Sequence, residues 1–116
     1  MNKGIGIDIV GIQRIKDAIK EYGDKFLNKI YTSTEIQYCT KRKALKFPEL
    51  AARFAAKEAY SKAIGTGMRG IHWKNIEILN EKSGKPYISV KGKKKSKALV
   101  SLSHDHENAI AFVIID

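Results

Sequence analysis

Glu58 and Lys62 stand one helical turn apart in Arg53-Phe54-Ala55-Ala56-Lys57-Glu58-Ala59-Tyr60-Ser61-Lys62-Ala63-Ile64-Gly65-Thr66-Gly67, surrounded by small apolar residues. At about 100° per residue, Ala51, Phe54, Ala55, Glu58, Ser61, Lys62 and Gly65 fall on one side of a helix, which sets both charges inside an apolar stripe. An unpaired carboxylate taken out of water costs several kcal/mol, so the pattern calls for a cation at Glu58. Lys62 could supply it as an i,i+4 pair, worth only about 0.3–0.5 kcal/mol on an exposed helix. A second acid from elsewhere in the chain would instead favour a metal or phosphate site.

Asp8 is that second acid. Gly4-Ile5-Gly6-Ile7-Asp8-Ile9-Val10 reads as a strand with Ile5, Ile7 and Ile9 on one face and Gly6, Asp8 and Val10 on the other. Asp is disfavoured inside strands, so it too needs a reason. Asp8 and Glu58 together make a sparse oxygen site of the kind magnesium uses, with waters and substrate phosphates filling the other positions. Lys62 and Arg53 on the same helix suit a metal–phosphate complex better than a bare ion, because they offset its charge. The competing reading of these residues is an internal salt bridge.

The elements that must position them follow from spacing. Ile12, Ile15 and Ile19 predict an amphipathic helix ending near Gly23, with Arg14 and Lys16 near its exposed start. Phe26, Leu27 and Ile30 continue a helical spacing, and Thr32-Ser33-Thr34-Glu35 offers caps for a helix through Tyr38. Pro48 suits the first turn of the long central helix, and Gly65-Thr66-Gly67 closes it. That helix carries Ala52, Ala56, Ala59 and Ala63 on a second side, leaving Arg53, Lys57 and Tyr60 on the remainder, so it should be sandwiched. Strands follow at Ile76-Asn80, Tyr87-Val90, Ala98-Ser103 and Ala109-Ile115, with a turn at Glu81-Lys82-Ser83-Gly84-Lys85-Pro86. Helices first and strands later predict an α+β fold with a largely antiparallel sheet packed on the central helix.

His104, in Ser101-Leu102-Ser103-His104-Asp105-His106, lies at a strand end, where it could contact phosphate, move a proton or serve the turn. Adjacency of Ser103, His104 and Asp105 does not make a nucleophilic triad, which needs groups converging in space. Gly65-Thr66-Gly67 with Gly70 lacks P-loop or dinucleotide spacing. His72 and Trp73 are expected to pack after this glycine turn. Cys39 is the only cysteine, which excludes an internal disulfide and a multi-cysteine metal site.

At 116 residues the chain is expected to be one domain, 1–116, and its formal charge of +10, from 22 Lys and Arg against 12 Asp and Glu, predicts an anionic partner. A secretory leader pattern and a bilayer-length apolar run are both missing, so the expectation is a cytoplasmic protein without membrane contact. The run Lys91-Gly92-Lys93-Lys94-Lys95-Ser96-Lys97 has no interleaved aromatics and reads as a solvated loop or short helical face. A small basic nucleic-acid-binding module is the rival reading, resting on charge alone; a carrier-binding protein without catalysis is a third, opposed by Asp8, Glu58 and Lys62.

Together Gly6-Ile7-Asp8-Ile9-Val10, the Arg53–Gly67 helix, Ser83-Gly84-Lys85-Pro86 and Ser101-Leu102-Ser103-His104, in that order, resemble the small bacterial type of 4′-phosphopantetheinyl transferase, the holo-acyl-carrier-protein synthases. The resemblance runs nearly end to end. It implies transfer of the 4′-phosphopantetheine arm of coenzyme A to a serine of apo-acyl carrier protein, releasing adenosine 3′,5′-bisphosphate in support of fatty acid biosynthesis. It further implies Mg2+ held by Asp8 and Glu58, with Lys62 stabilising phosphate charge and His104 contacting the same region. Arg53, Gly65, Thr66 and Gly67 would hold the nucleotide, with Ser83, Gly84, Lys85 and Pro86 near its adenine and 3′-phosphate. In-line attack needs charge neutralisation and a proton acceptor; a metal-bound water, Glu58 and His104 all remain open for the latter. Family docking of the acidic carrier falls on the first helix at Arg14, with Lys16 and Lys20 adding charge. Gly11 and Ala18 depart from the family's usual Glu and larger apolar residue there. The family forms homotrimers with sites between subunits, so neither nucleic acid nor membrane is an expected partner.

Overall fold

Strand β1 (Gly4–Gly11) lies against helix α4 (Phe47–Ile64) more closely than a strand with a side chain at every position could. A Cβ added at Gly4 would sit 2.0 Å from the Ala63 carbonyl oxygen, and one at Gly6 would sit 1.9 Å from that of Ala59. Both contacts are with backbone, which cannot swing aside, so glycine is required at the two positions. The close approach is what brings Asp8, two residues further along the same strand face, up to the helix.

The computed structural model describes residues 3–92 and 95–116. After β1 come α1 (Ile12–Tyr22), α2 (Asp24–Ile30) and α3 (Ser33–Tyr38), then β2 (Thr40–Lys41), β3 (Ala44–Leu45) and α4. A 3-10 turn at Trp73–Asn75 leads into β4 (Ile76–Asn80), β5 (Pro86–Val90), β6 (Ala98–His104) and β7 (Asn108–Ile115). Antiparallel pairing orders the main sheet β1-β7-β6, while β2-β3 and β4-β5 are separate hairpins. The expected α+β architecture is present, with strand bounds within a residue of those read from the pattern.

Cross-strand register sorts the two faces of the main sheet. Gly6, Val113 and Val100 form one rung and Asp8, Ala111 and Leu102 the next, facing α4. The opposite face carries Ile5, Ile114 and Leu99, then Ile7, Phe112 and Ser101, then Ile9, Ile110 and Ser103. Ile5, Ile7, Ile9 and Leu99 are each more than half exposed on it. The isoleucine face of the first strand therefore points out of the single chain, and the face bearing glycine and aspartate points in. A contiguous bare apolar patch of this kind marks a surface that is covered by something else.

Local signals placed the helix ends. Thr32 accepts from the Glu35 amide at 3.2 Å and the Glu35 carboxylate accepts from the Thr32 amide at 2.8 Å, a complete capping box. Pro48 occupies the first turn of α4, and Gly65, at φ 88°, ends it in the left-handed region.

Helix α4 departs from the expected two-stripe pattern. Every residue from Leu50 through Lys57 is buried, including Arg53 and Lys57, which pattern reasoning left on the third side. Lys57 Nζ donates to Glu35 Oε1 at 2.7 Å, to the Ile30 carbonyl at 2.9 Å and to the Trp73 carbonyl at 3.1 Å. Glu35 Oε2 in turn accepts from the Ile78 amide at 2.9 Å. With three donors and three acceptors matched, the buried pair ties α2, α3, β4 and the 3-10 turn to α4.

The β2-β3 hairpin was not read from the sequence. Its turn residues, Arg42 and Lys43, have φ of 52° and 66°, where Asn-Gly is the usual signal. Of the lysine run, Lys93 and Lys94 lie outside the described residues. Lys91 and Gly92 form a turn, and Lys95 Nζ pairs with Glu81 Oε2 at 2.5 Å, so part of the run closes onto the β4-β5 hairpin instead of standing free.

Candidate active site

Asp8, Glu58 and Lys62 converge at the β1–α4 contact. Lys62 Nζ donates to Asp8 Oδ1 at 3.1 Å and to the Ile7 carbonyl at 3.0 Å. The cation that the stripe called for at Glu58 is thus paired with Asp8 instead, because the glycine-mediated approach of β1 sets that carboxylate within its reach. Lys62 is half exposed and Asp8 largely covered. Glu58 is half-buried, less enclosed than the stripe implied, and its carboxylate accepts no hydrogen bond among the described residues. Burial first and then the Asp8 charge push its pKa above the ordinary carboxylate value, while Lys62 and Arg14 pull it back. Two crowded carboxylates, one of them without donors, form a hard-oxygen pair that would gain from a further cation.

Arg53 and His104 lie at a second locus, toward the start of α4. They wall a cavity of about 430 Å³ that also includes Glu49, Asn80, Gly84, Lys85 and Pro86. Ser83 is not in its wall; its hydroxyl accepts from the Lys85 amide at 3.4 Å and so shapes the turn. Gly65, Thr66 and Gly67 are not in the wall either, since they close the far end of α4. His104 Nε2 lies 3.2 Å from Glu49 Oε1. Arg53 Nη1 donates to the Glu49 carbonyl at 3.2 Å, Nη2 donates to Asn80 Oδ1 at 2.6 Å, and the guanidinium lies over the Tyr38 ring at 4.5 Å. Asn80 Nδ2 donates to the Gly84 carbonyl at 2.9 Å. A polar chain thus runs His104, Glu49, Arg53, Asn80, Gly84 around the cavity. Among the described residues it leaves one buried donor without a partner, Arg53 Nε. A cavity of this size walled by Arg53, Lys85 and His104 suits the anionic end of a nucleotide.

Sequence reasoning missed Glu49 and Asn80. Signals for both were there: Glu49 precedes Arg53 by one turn, and Asn80 is a strand-averse residue next to the Ser-Gly-Lys-Pro turn. The docking candidates Arg14, Lys16 and Lys20 are all exposed on α1. Cys39 is fully buried, and burial pushes its thiol up to about 11, which removes it from nucleophilic chemistry.

The two loci face different ways. At roughly 100° per residue, Arg53 and Lys62 are half a turn out of phase, so they leave α4 on opposite sides. Asp8 belongs to one edge strand of the main sheet and His104 to the other.

The chain is a transferase: it belongs to the 4′-phosphopantetheinyl transferase superfamily, whose model matches residues 4–113. Within that class its relatives are holo-[acyl-carrier-protein] synthases. Those of Halothermothrix orenii and Protochlamydia amoebophila are 46% and 48% identical, each covering 98% of this chain and 97% and 98% of their own lengths. The Helicobacter pylori holo-[acyl-carrier-protein] synthase, solved in complex with coenzyme A, superposes with a TM-score of 0.85 at 34% identity, covering 97% of this chain and 99% of its own. That of Bacillus anthracis, in complex with CoA (3′,5′-ADP), gives 0.77 at 36% identity over 96% and 93%. Among the described residues no helix is long and apolar enough to cross a membrane.

Proposed function

We propose that this chain transfers the 4′-phosphopantetheine arm of coenzyme A to a serine of an acidic apo-acyl carrier protein, releasing adenosine 3′,5′-bisphosphate. The observation that carries the reading is the convergence of Asp8 from β1 with Glu58 and Lys62 from α4, in a chain whose relatives are named for this reaction. Asp8 and Glu58 would hold Mg2+, which when bound supplies charge neutralisation on the diphosphate of coenzyme A. The donor set fits that ion: two carboxylates and open solvent, with no sulfur or imidazole in the pair.

The carrier serine oxygen forms a bond to the β-phosphorus as the bond to the leaving nucleotide phosphate breaks. Glu58 is the proton acceptor we favour over His104, since its carboxylate accepts no hydrogen bond among the described residues and so keeps a lone pair for the serine proton. Lys62 donates to the phosphate oxygens from its half-exposed position. Lys85 on the cavity wall holds the nucleotide end, with Arg53 positioning Asn80 and with His104 facing the same cavity.

A single chain presents these two halves on opposite flanks of α4, and its sheet carries a bare isoleucine face. Both features support a homotrimer in which the carboxylate flank of one copy meets the nucleotide cavity of the next. Cytoplasmic location and supply of carrier for fatty acid biosynthesis complete the proposal. Mass spectrometry tests it: apo-carrier incubated with coenzyme A and magnesium should gain one phosphopantetheine, and Asp8→Ala or Glu58→Ala should abolish the gain while keeping the fold. Full activity in both variants would remove the proposed site, and salt-sensitive nucleic-acid binding without transfer would favour the rival module.

A further inference from the structure

Arg14, Phe54 and Trp73 form a three-layer stack across three elements. The Arg14 guanidinium lies 5.8 Å from the Phe54 ring centre, and the Phe54 and Trp73 rings stack at 4.9 Å with 24° between their planes. Trp73 then walls a separate cavity of about 390 Å³ with Lys29 of α2 and Ile71, His72 and Lys74. Ile71 and Trp73 are half-buried while Lys29, His72 and Lys74 are exposed, which makes an apolar floor under a cationic rim. At the other end of the stack, Arg14 is close enough to Glu58 to lower its pKa. Arg14 and this cavity therefore flank one ring stack.

We propose that the cavity between α2 and Trp73 is a second anchor for the acidic carrier protein, its floor taking an apolar side chain and its rim lysines meeting carboxylates. This rests on the transfer reading above. Charge argues for the occupant: the chain carries +10 overall, and the rim sets two lysines at one end of a stack whose other end is Arg14. The apolar floor of Ile71 and Trp73 between the rim lysines favours a folded acidic protein over nucleic acid. A carrier seated across Arg14 and this cavity would present a serine beside the acid pair.

Trp73 is the only tryptophan, so its emission reports on the cavity directly. Titrating the wild-type protein with a tryptophan-free acidic apo-carrier should shift that emission saturably. Lys29→Glu combined with Lys74→Glu should raise the KM for carrier about 10-fold at low salt, the gap narrowing at high salt, with kcat and the KM for coenzyme A unchanged. The equally charge-changing pair Lys91→Glu with Lys97→Glu should stay within about twofold of wild type. Normal wild-type transfer with silent Trp73 emission, together with an unchanged carrier KM when Lys29 and Lys74 are both replaced, overturns the anchor and leaves the transfer reading standing. A Trp73 response to duplex DNA but not to carrier also overturns it. A wild type without transfer overturns the reading beneath it.

Discussion

Lys57 and Glu58 are neighbours on α4, yet they live in opposite electrostatic circumstances. Lys57 is fully buried and every one of its protons has an acceptor; desolvation pulls its pKa down and Glu35 pulls it back up. Glu58 is half-buried, carries no hydrogen bond on its carboxylate among the described residues and has a second carboxylate beside it. A charged group with its hydrogen bonds complete inside the protein holds structure together, whereas one left incomplete at the surface keeps its capacity for a ligand. The difference separates architecture from chemistry within two consecutive residues.

The comparison breaks most visibly at Lys57. Lys57→Ala strands Glu35 as a buried, unpaired charge, and we expect a loss of about 3–5 kcal/mol in denaturant unfolding. Glu58→Gln should do the reverse, keeping stability while cutting transfer by about 10²–10⁴-fold in steady-state assays. Equal stability losses in the two variants would collapse the distinction.

A subtler test uses pH. Because the folded-state pKa of Glu58 lies above its unfolded value, protonation favours the folded state: that contribution is complete below the unfolded carboxylate range and is lost as pH rises through the folded pKa. Without divalent ions, the melting temperature of wild type should therefore fall relative to Glu58→Gln as pH rises through that window, and magnesium should close that gap at neutral pH. A pH-independent gap between the two proteins would sink the assignment of the shift to Glu58.

At the second locus the expected effect is smaller. Asn80→Ala removes both the Arg53 acceptor and the Gly84 donor, and should raise the KM for coenzyme A about 10-fold with little change in that for carrier. Asn80→Asp, which keeps the acceptor for Arg53 and loses only the donor to Gly84, should recover part of the loss. Unchanged coenzyme A binding by calorimetry in both variants would show that the polar chain is not what sets the cavity.

Helix and strand bounds were legible where local chemistry decides them. Thr32 with Glu35, Pro48 and Gly65 announce their roles by type and spacing. The acid pair was legible because Asp8 in a strand and Glu58 among alanines each violate a local preference. Arg53 and Lys57 were harder, since a helix buried on all sides loses the polar face that periodicity relies on. The Arg42-Lys43 turn gave no signal, because neither residue is of the type that a left-handed hairpin turn favours.

Composition, periodicity and capping thus determined an α+β chain with a long central helix and named Asp8, Glu58 and Lys62 as an unusual set, since those signals are local to each element. Only the tertiary structure decided that Lys62 pairs with Asp8, that Lys57 belongs to Glu35, and that Asn80 and Glu49 organise the Arg53 cavity. Such partnerships depend on how closely elements approach, and here that distance is set by glycines with no side chain to hold β1 away from α4.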